Sequence, residues 1–232
     1  MQEWMADVAY KFRIAFIDGD RWKLYLQGLG VTIQIAVFAA ILGVVIGTVI
    51  ALMKMSTTRT GKRTIFSYLA QAYIDIIRGT PSVLQLLIMW FIVMSSSKNG
   101  VLVAVLTFGI NSGAYVSEIM RAGIQAVDHG QMEAGRSLGL SKAQTMRYII
   151  MPQAFKNVLP ALCNEFVVLL KETSVAGYVA VQDLTKGGDI IRSRTYDAWT
   201  PLLIVAAVYL ALTMIFNHFA QNLERSLRKN ER

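Results

Sequence analysis

The chain has 232 residues, of which 54% are hydrophobic and 16% charged, with a formal net charge of +8. A soluble domain of this length carries nearer a quarter charged residues, so an ordinary soluble enzyme or binding module is excluded. A single cysteine, Cys163, excludes an intrachain disulfide and a multi-cysteine metal site, and the basic balance fits cytoplasmic loops and anionic lipid better than nucleic acid.

Residues 1–21 hold no apolar run long enough to span. Trp4, Val8 and Phe12 recur four apart among mixed charges, which predicts an amphipathic helix lying in the membrane interface. Trp22 and Tyr25 would anchor the start of the first span. From Leu24 to Met53 there is no charged residue, and a spanning helix needs about 20 apolar residues. Ile65–Ser97 forms a second run, interrupted by Asp75, Arg78 and Pro81. In Arg78-Gly79-Thr80-Pro81 the residue before proline avoids the helical region and glycine loosens the helix, so this span should be broken there. Asn99–Met120 carries Glu118; Asn157–Ala180 carries Glu165, Lys171 and Glu172; Ala198–Gln221 holds only His218 among ionisable groups. Residues 181–197 read as a loop, and 221–232 as a basic tail. The expected architecture is an all-α polytopic membrane protein with about five transmembrane helices, its ends on opposite sides.

Loop charges orient it. With the N-terminus outside, the inner segments Lys54–Arg63, Arg121–Lys156 and the tail hold thirteen Lys/Arg against eight in the outer ones. The excess of basic residues on the cytoplasmic side favours N-out, C-in.

The segment EAGRSLGLSKAQTMRYIIMP, residues 133–152, is polar and basic between apolar runs. Asp128 with Gln131 makes a capping box, so a helix should start there. Gly139 suits a left-handed C-terminal cap. Ser141 with Gln144 offers a second box, for a helix running through Met146, Ile149 and Ile150 until Pro152 interrupts it. Small residues at Ala134, Gly135 and Ser137 permit close approach of another backbone. A solvated loop needs no such start and stop signals, and the segment reads as a docking element on the cytoplasmic side.

Glu133-Ala134-Gly135, then Gly139, Ile149 and Pro152, resembles the "EAA" loop of the permease subunits of bacterial ABC importers. RGTPSVLQLL at 78–87, NSGAYVSEIMRAGIQAV at 111–127 and NEFVVLLKETS at 164–174 are similar to the polar amino-acid permeases, the histidine/glutamine/arginine branch. The resemblance implies a type I ABC importer transmembrane domain over residues 22–220, preceded by an external interfacial segment at 1–21. It implies a cytoplasmic coupling loop at about 128–152, with Gln131, Glu133, Ala134, Gly135, Leu138 and Gly139 docking into a nucleotide-binding ATPase subunit. The implied partners are an ATPase dimer, a second permease subunit, an extracytoplasmic solute-binding protein, an amino-acid substrate and the bilayer of the bacterial inner membrane. No cofactor is expected in this chain, ATP and magnesium belonging to the ATPase.

The residues agree that the chain is no ATPase. A phosphate loop needs glycine five residues before its Gly-Lys pair and Ser/Thr directly after the lysine; around Gly61-Lys62 those places hold Ser56 and Arg63. The two histidines are far apart, and no metal-ligand spacing occurs.

Charges inside a membrane usually face an interior or cavity. Asn111 lies seven residues before Glu118, two helical turns, so both share a face. Asn111, Glu118 and Glu165 are therefore expected along a transport pathway, where carboxylates attract the ammonium group of an amino acid. The alternative is structural: Glu118 pairs with Arg121 at helical spacing and Glu165 bonds a neighbouring helix. Arg78 and Thr80 sit at the broken span, where Arg78 either meets a substrate carboxylate or pairs with Asp75. Lys171–Ser174 either contacts an external binding protein or snorkels. Rival functions are an ATP-independent channel or ion-coupled carrier using Glu118 and Glu165, and an intramembrane enzyme, for which no nucleophile–base pair appears.

Overall fold

The computed structural model describes residues 1–56 and 62–229. Gly61, of the Gly61-Lys62 pair, lies outside the described residues.

Helix α1, Gln2–Phe12, forms where the amphipathic pattern predicted it, with Trp4, Val8 and Phe12 all exposed. A π-turn over Arg13–Ile17 and a 3-10 turn over Asp18–Asp20, with Gly19 at φ 64°, connect it to α2, Trp22–Met55. The rings of Phe12, Phe16 and Tyr25 stack across this connection, with centroids 5.4 and 5.9 Å apart. Helix α2 is 34 residues long, about 51 Å at the helical rise, more than the hydrocarbon core requires.

The second span breaks as its sequence requires. Helix α3, Ile65–Arg78, starts at Thr64, whose side chain accepts the Ser67 N–H at 3.3 Å. It ends at Gly79, and helix α4, Ser82–Ile88, begins after Pro81 in extended conformation and closes in a π-turn over Met89–Val93. Helix α5 covers Gly100–Gln125, followed by α6, His129–Ser137, and α7, Lys142–Thr145. A π-turn over Met146–Ile150 joins α7 to α8, Met151–Glu172, and a 3-10 turn over Thr173–Val179 follows. Residues 181–197, expected as loop, contain helix α9, Leu184–Thr195. The buried Asp183 caps it, accepting the Thr185 and Lys186 N–H groups at 3.1 Å each, and this Asp cap is a start signal legible in the sequence. Helix α10, Thr200–Lys229, closes the chain.

Among the described residues α2, α5 and α10 are each long and apolar enough to cross a membrane, and the broken α3–α4 pair together passes the same test. The remaining expected span, fourth in chain order, corresponds to α8, 22 residues and about 33 Å long, which is not among the helices that pass that test. Lys156, Glu165, Lys171 and Glu172 make it more polar than the others. A helix of that kind crosses a bilayer with its polar residues turned to protein or a cavity.

The chain divides into two compact units, and α2, α5, α8 and α10 each contribute a segment to both. In the unit of Met1–Ala39, Pro81–Phe108 and Leu169–Ile215, the core gathers Ala15, Tyr25, Leu184, Ile191 and Val205. In the unit of Ala40–Thr80, Gly109–Val168 and Phe216–Arg232, α2 and α5 meet through small residues. A Cβ on Gly43 would stand 3.0 Å from the Ser112 Cβ, and one on Gly47 would stand 2.6 Å from the Val116 side chain. Reciprocally, Gly109 faces Leu42 and Gly113 faces Ile46. Both helices thus carry a G-x-x-x-G pair, the pattern that lets membrane helices approach closely when lipid supplies no hydrophobic drive.

That seam predicts a stability difference. Gly47→Ala places its Cβ also 2.9 Å from the Gly113 carbonyl oxygen, an overpacking that costs about 1–3 kcal/mol. Gly30, with nothing within 4 Å of such a Cβ, is the control. Thermal unfolding in detergent should show a lowered Tm for Gly47→Ala and none for Gly30→Ala.

Candidate functional site

Two groups of sequence-predicted residues lie in the unit just described. The first is the helical hairpin of α6, α7 and the start of α8. Asp128 caps α6 as expected, but its carboxylate accepts from the Gly130 N–H at 2.6 Å, and Gln131 bonds only through its backbone to the Asp128 carbonyl. The capping box at that end is therefore a simple cap. At the other end Gly139 has φ 86°, its N–H reaching the Arg136 carbonyl and the Leu140 N–H the Gly135 carbonyl, each at 3.1 Å. This pair of bonds is a Schellman motif, and it needs the left-handed residue that glycine supplies without strain.

The Ser141–Gln144 box is complete: the Gln144 N–H donates to Ser141 Oγ at 3.2 Å and the Ser141 N–H to Gln144 Oε1 at 2.8 Å. The expectation that Pro152 interrupts this helix is corrected. The chain stays helical from Lys142 to Glu172, because the π-turn directly before Met151 shifts the bonding register and Pro152 falls in the first turn of α8, where its missing N–H costs little.

The hairpin has an inner and an outer face. Gly135 is buried, and a Cβ there would lie 2.4 Å from Thr145 Cγ2. Its smallness serves packing of α6 on α7 within the chain. Val127, Ile150 and Ala154 form the core beneath, with Met132 and Met146 packed on it. Gln131, Glu133, Ala134, Leu138 and Gly139 are exposed, and Leu138 is 81% exposed although apolar. A capped, internally packed helix thus presents a small-residue surface with one projecting leucine.

The second group lies on α3, α5 and α8. Glu165 accepts a hydrogen bond from Ser112 Oγ at 2.8 Å. The Arg78 guanidinium lies over the Tyr115 ring, 5.1 Å from its centroid. The Arg78–Asp75 pairing weighed on spacing is replaced: Asp75 accepts from Gln71 Nε2 at 2.7 Å. Thr80 donates to the Ile76 carbonyl at 2.9 Å, and Asn111 is 3% exposed, next to the Ser112 that holds Glu165. Arg78 and Glu165 therefore converge, opposite in charge, on Ser112 and Tyr115 of α5. Ser112 and Tyr115 were missed by sequence reasoning; their separation of one helical turn was the available signal.

Glu118 belongs to another cluster. Its two carboxylate oxygens accept from Lys54 and Arg121, the latter at 2.7 Å. The Arg121 contact is the helical-spacing pair expected as an alternative, and Lys54 is an addition.

A separate cleft of about 420 Å3 is lined by Ser174, Tyr178, Thr185, Lys186, Asp189 and Arg192. Asp189 bonds Arg192 and Lys186, which hold its carboxyl below the usual carboxylate range.

Residues 43–229 match the family described as binding-protein-dependent transport system inner membrane component. The chain is 37% identical over 209 residues to the arginine transport system permease protein ArtQ of Bacillus subtilis, covering 89% of this chain and 93% of that one. It is 36% identical to the putative glutamine transport system permease protein GlnP of Rickettsia typhi, covering 88% and 93%. Among solved structures, an amino acid ABC transporter crystallised with histidines matches at TM-score 0.82 and 42% identity, covering 96% of this chain and 97% of that one. An inward-facing MetNI methionine ABC transporter matches at TM-score 0.79 and 18% identity, covering 91% and 99%, a likeness of fold.

Proposed function

The chain belongs to the family of binding-protein-dependent transport system inner membrane components, as an amino-acid ABC transporter permease, and from that premise we propose that it is the membrane subunit of an ATP-driven importer moving a polar amino acid inward by alternating access. The observation that carries this reading is α6: a doubly capped helix, packed on its inner face and bare on its outer one. Such a surface fits a groove on a separate ATPase subunit, with Gln131, Glu133, Ala134, Leu138 and Gly139 as contacts and Gly135 setting the hairpin beneath them. Two such ATPases and a second permease copy or relative complete the assembly, and an extracytoplasmic binding protein delivers substrate. ATP binding favours the closed ATPase pair, α6 moves with it, and the membrane helices exchange outward- for inward-facing access; the shift equals the differential affinity of the two states for nucleotide.

Along the pathway, Arg78 and Glu165 match the two charges every free amino acid carries. The guanidinium takes the carboxylate in a bidentate bond and the Glu165 carboxylate takes the ammonium group. Thr80 lies two residues after Arg78, and Asn111 directly before the Ser112 that bonds Glu165. Side-chain charge beyond the shared zwitterion is left to the binding protein.

The test is reconstitution: in proteoliposomes holding the chain, its ATPase and its binding protein, amino-acid uptake should require ATP. Uptake at full rate without nucleotide would remove the importer reading in favour of a carrier. Orientation is tested independently. With Cys163 replaced by serine, a single cysteine at Glu133 should react with a membrane-impermeant thiol reagent only after cells are opened, and one at the exposed Tyr196 before. The reverse pattern would invert the topology and separate α6 from any cytoplasmic ATPase.

A further inference from the structure

We infer that Lys54, Glu118 and Arg121 form a tie that carries displacement of α6 into α2 and α3, an assignment resting on the coupling role proposed for α6. Glu118 Oε1 accepts from Lys54 Nζ, and Oε2 accepts from Arg121 Nη2 at 2.7 Å and Nε at 3.1 Å. The three side chains are 16%, 19% and 30% exposed, in the order Lys54, Glu118, Arg121. A ligand-binding acid keeps an oxygen open toward its ligand. Glu118 has both occupied by cations of its own chain.

The contacts run in series. Arg121 also bonds Gln125 Oε1 at 2.5 Å, in the last turn of α5, three residues before the Asp128 that caps α6. Lys54 stands in the last turn of α2. Its carbonyl accepts from Ser67 Oγ of α3 at 2.8 Å, while the Ser56 hydroxyl pairs with that of Thr64, the residue that starts α3. Helix α3 then leads to Arg78 and the break in the second span. From the base of α6 to the pathway arginine, the steps are the short turn at 126–128, packed helices and charged or hydroxyl hydrogen bonds, the kind of contiguous network able to transmit a discrete displacement. Glu118 is thus a positioning residue.

Lys54→Met isolates the tie. It removes the bond between α2 and α5 and leaves Glu118 paired with Arg121, so no buried charge is stranded. In the reconstituted complex, ATP hydrolysis is read with and without substrate-loaded binding protein. Lys54→Met should keep basal hydrolysis and ATPase co-purification, lower the substrate-dependent stimulation about tenfold, within the usual range of coupling between sites, and leave the substrate concentration for half-stimulation unchanged; Lys54→Arg should retain stimulation. Wild-type stimulation in an intact Lys54→Met complex overturns the tie. A raised half-stimulation concentration at unchanged maximum also overturns it, since that is the signature of a pathway residue. A second measurement leaves the tie untouched: spin labels at the exposed Leu52 and Ser137, with Cys163 replaced by serine, should keep one distance with and without nucleotide. A shift of a helical turn, about 5 Å, would overturn the tie. Failure of the wild-type complex to respond to substrate at all overturns instead the importer reading on which it rests.

Discussion

Leu138→Asp will strip the partner ATPase from the detergent-extracted chain while leaving the chain folded. Leu138 is 81% exposed and sits beyond the last turn of α6, held there by the two backbone bonds around Gly139. Its side chain contributes little inside the chain, so a charge there costs the fold little; surface substitutions usually fall within about 0.5 kcal/mol. In a docked complex the same leucine is the one large apolar group that α6 offers. Replacing such an anchor by a carboxylate typically costs about 2 kcal/mol or more, roughly thirtyfold in affinity. The measurement is pull-down of the ATPase on the tagged chain, with Tm as the fold control. Gly135→Ala provides the contrast: its Cβ would collide with Thr145, so it should lower Tm as well as docking. Retention of the ATPase by Leu138→Asp would place the docking surface elsewhere on the chain.

Glu165→Ala will abolish substrate-dependent stimulation of ATP hydrolysis at ordinary substrate concentrations. The carboxylate is held by Ser112, and in the proposed pathway its removal takes away the partner of the substrate ammonium group. Losing one hydrogen bond to a charged group typically costs about 1.5–3 kcal/mol, at least tenfold in the substrate needed for half-stimulation. Arg78→Ala should produce a similar loss through the substrate carboxylate, and the double variant little more than either single one, because the two groups hold one molecule between them. Fully additive losses would mean that the two residues act at separate places. Unchanged stimulation in Glu165→Ala would return this acid to a purely structural bond with Ser112.

Spacing and composition settled a good deal in advance. The charge-free run from Leu24 to Met53 could fold only as a membrane helix, since lipid offers no partner to an open backbone. Gly79-Thr80-Pro81 had to break the second span, and Gly139 had to cap α6, because steric limits on the backbone act within a few residues. The Ser141–Gln144 box and the amphipathic α1 were legible for the same local reason. Helix α9 carried its signal too, in Asp183, but a short polar helix lacks the apolar run that made the others conspicuous.

What local pattern left open was which partner a side chain would choose. Arg78 had Asp75 three residues away, yet the folded chain turns it to Tyr115, and Glu118 keeps Arg121 but gains Lys54, 64 positions distant. Pro152 likewise sits inside a continuous helix because a π-turn absorbs it. The sequence by itself determined the apolar runs, the break in the second span and the capped hairpin of α6 and α7, since these follow from hydrophobic runs and local backbone sterics. Only tertiary structure decided the charge partners, because the α2–α5 glycine seam brings Lys54 to Glu118, and α3 and α8 set Arg78 and Glu165 against Tyr115 and Ser112 of α5.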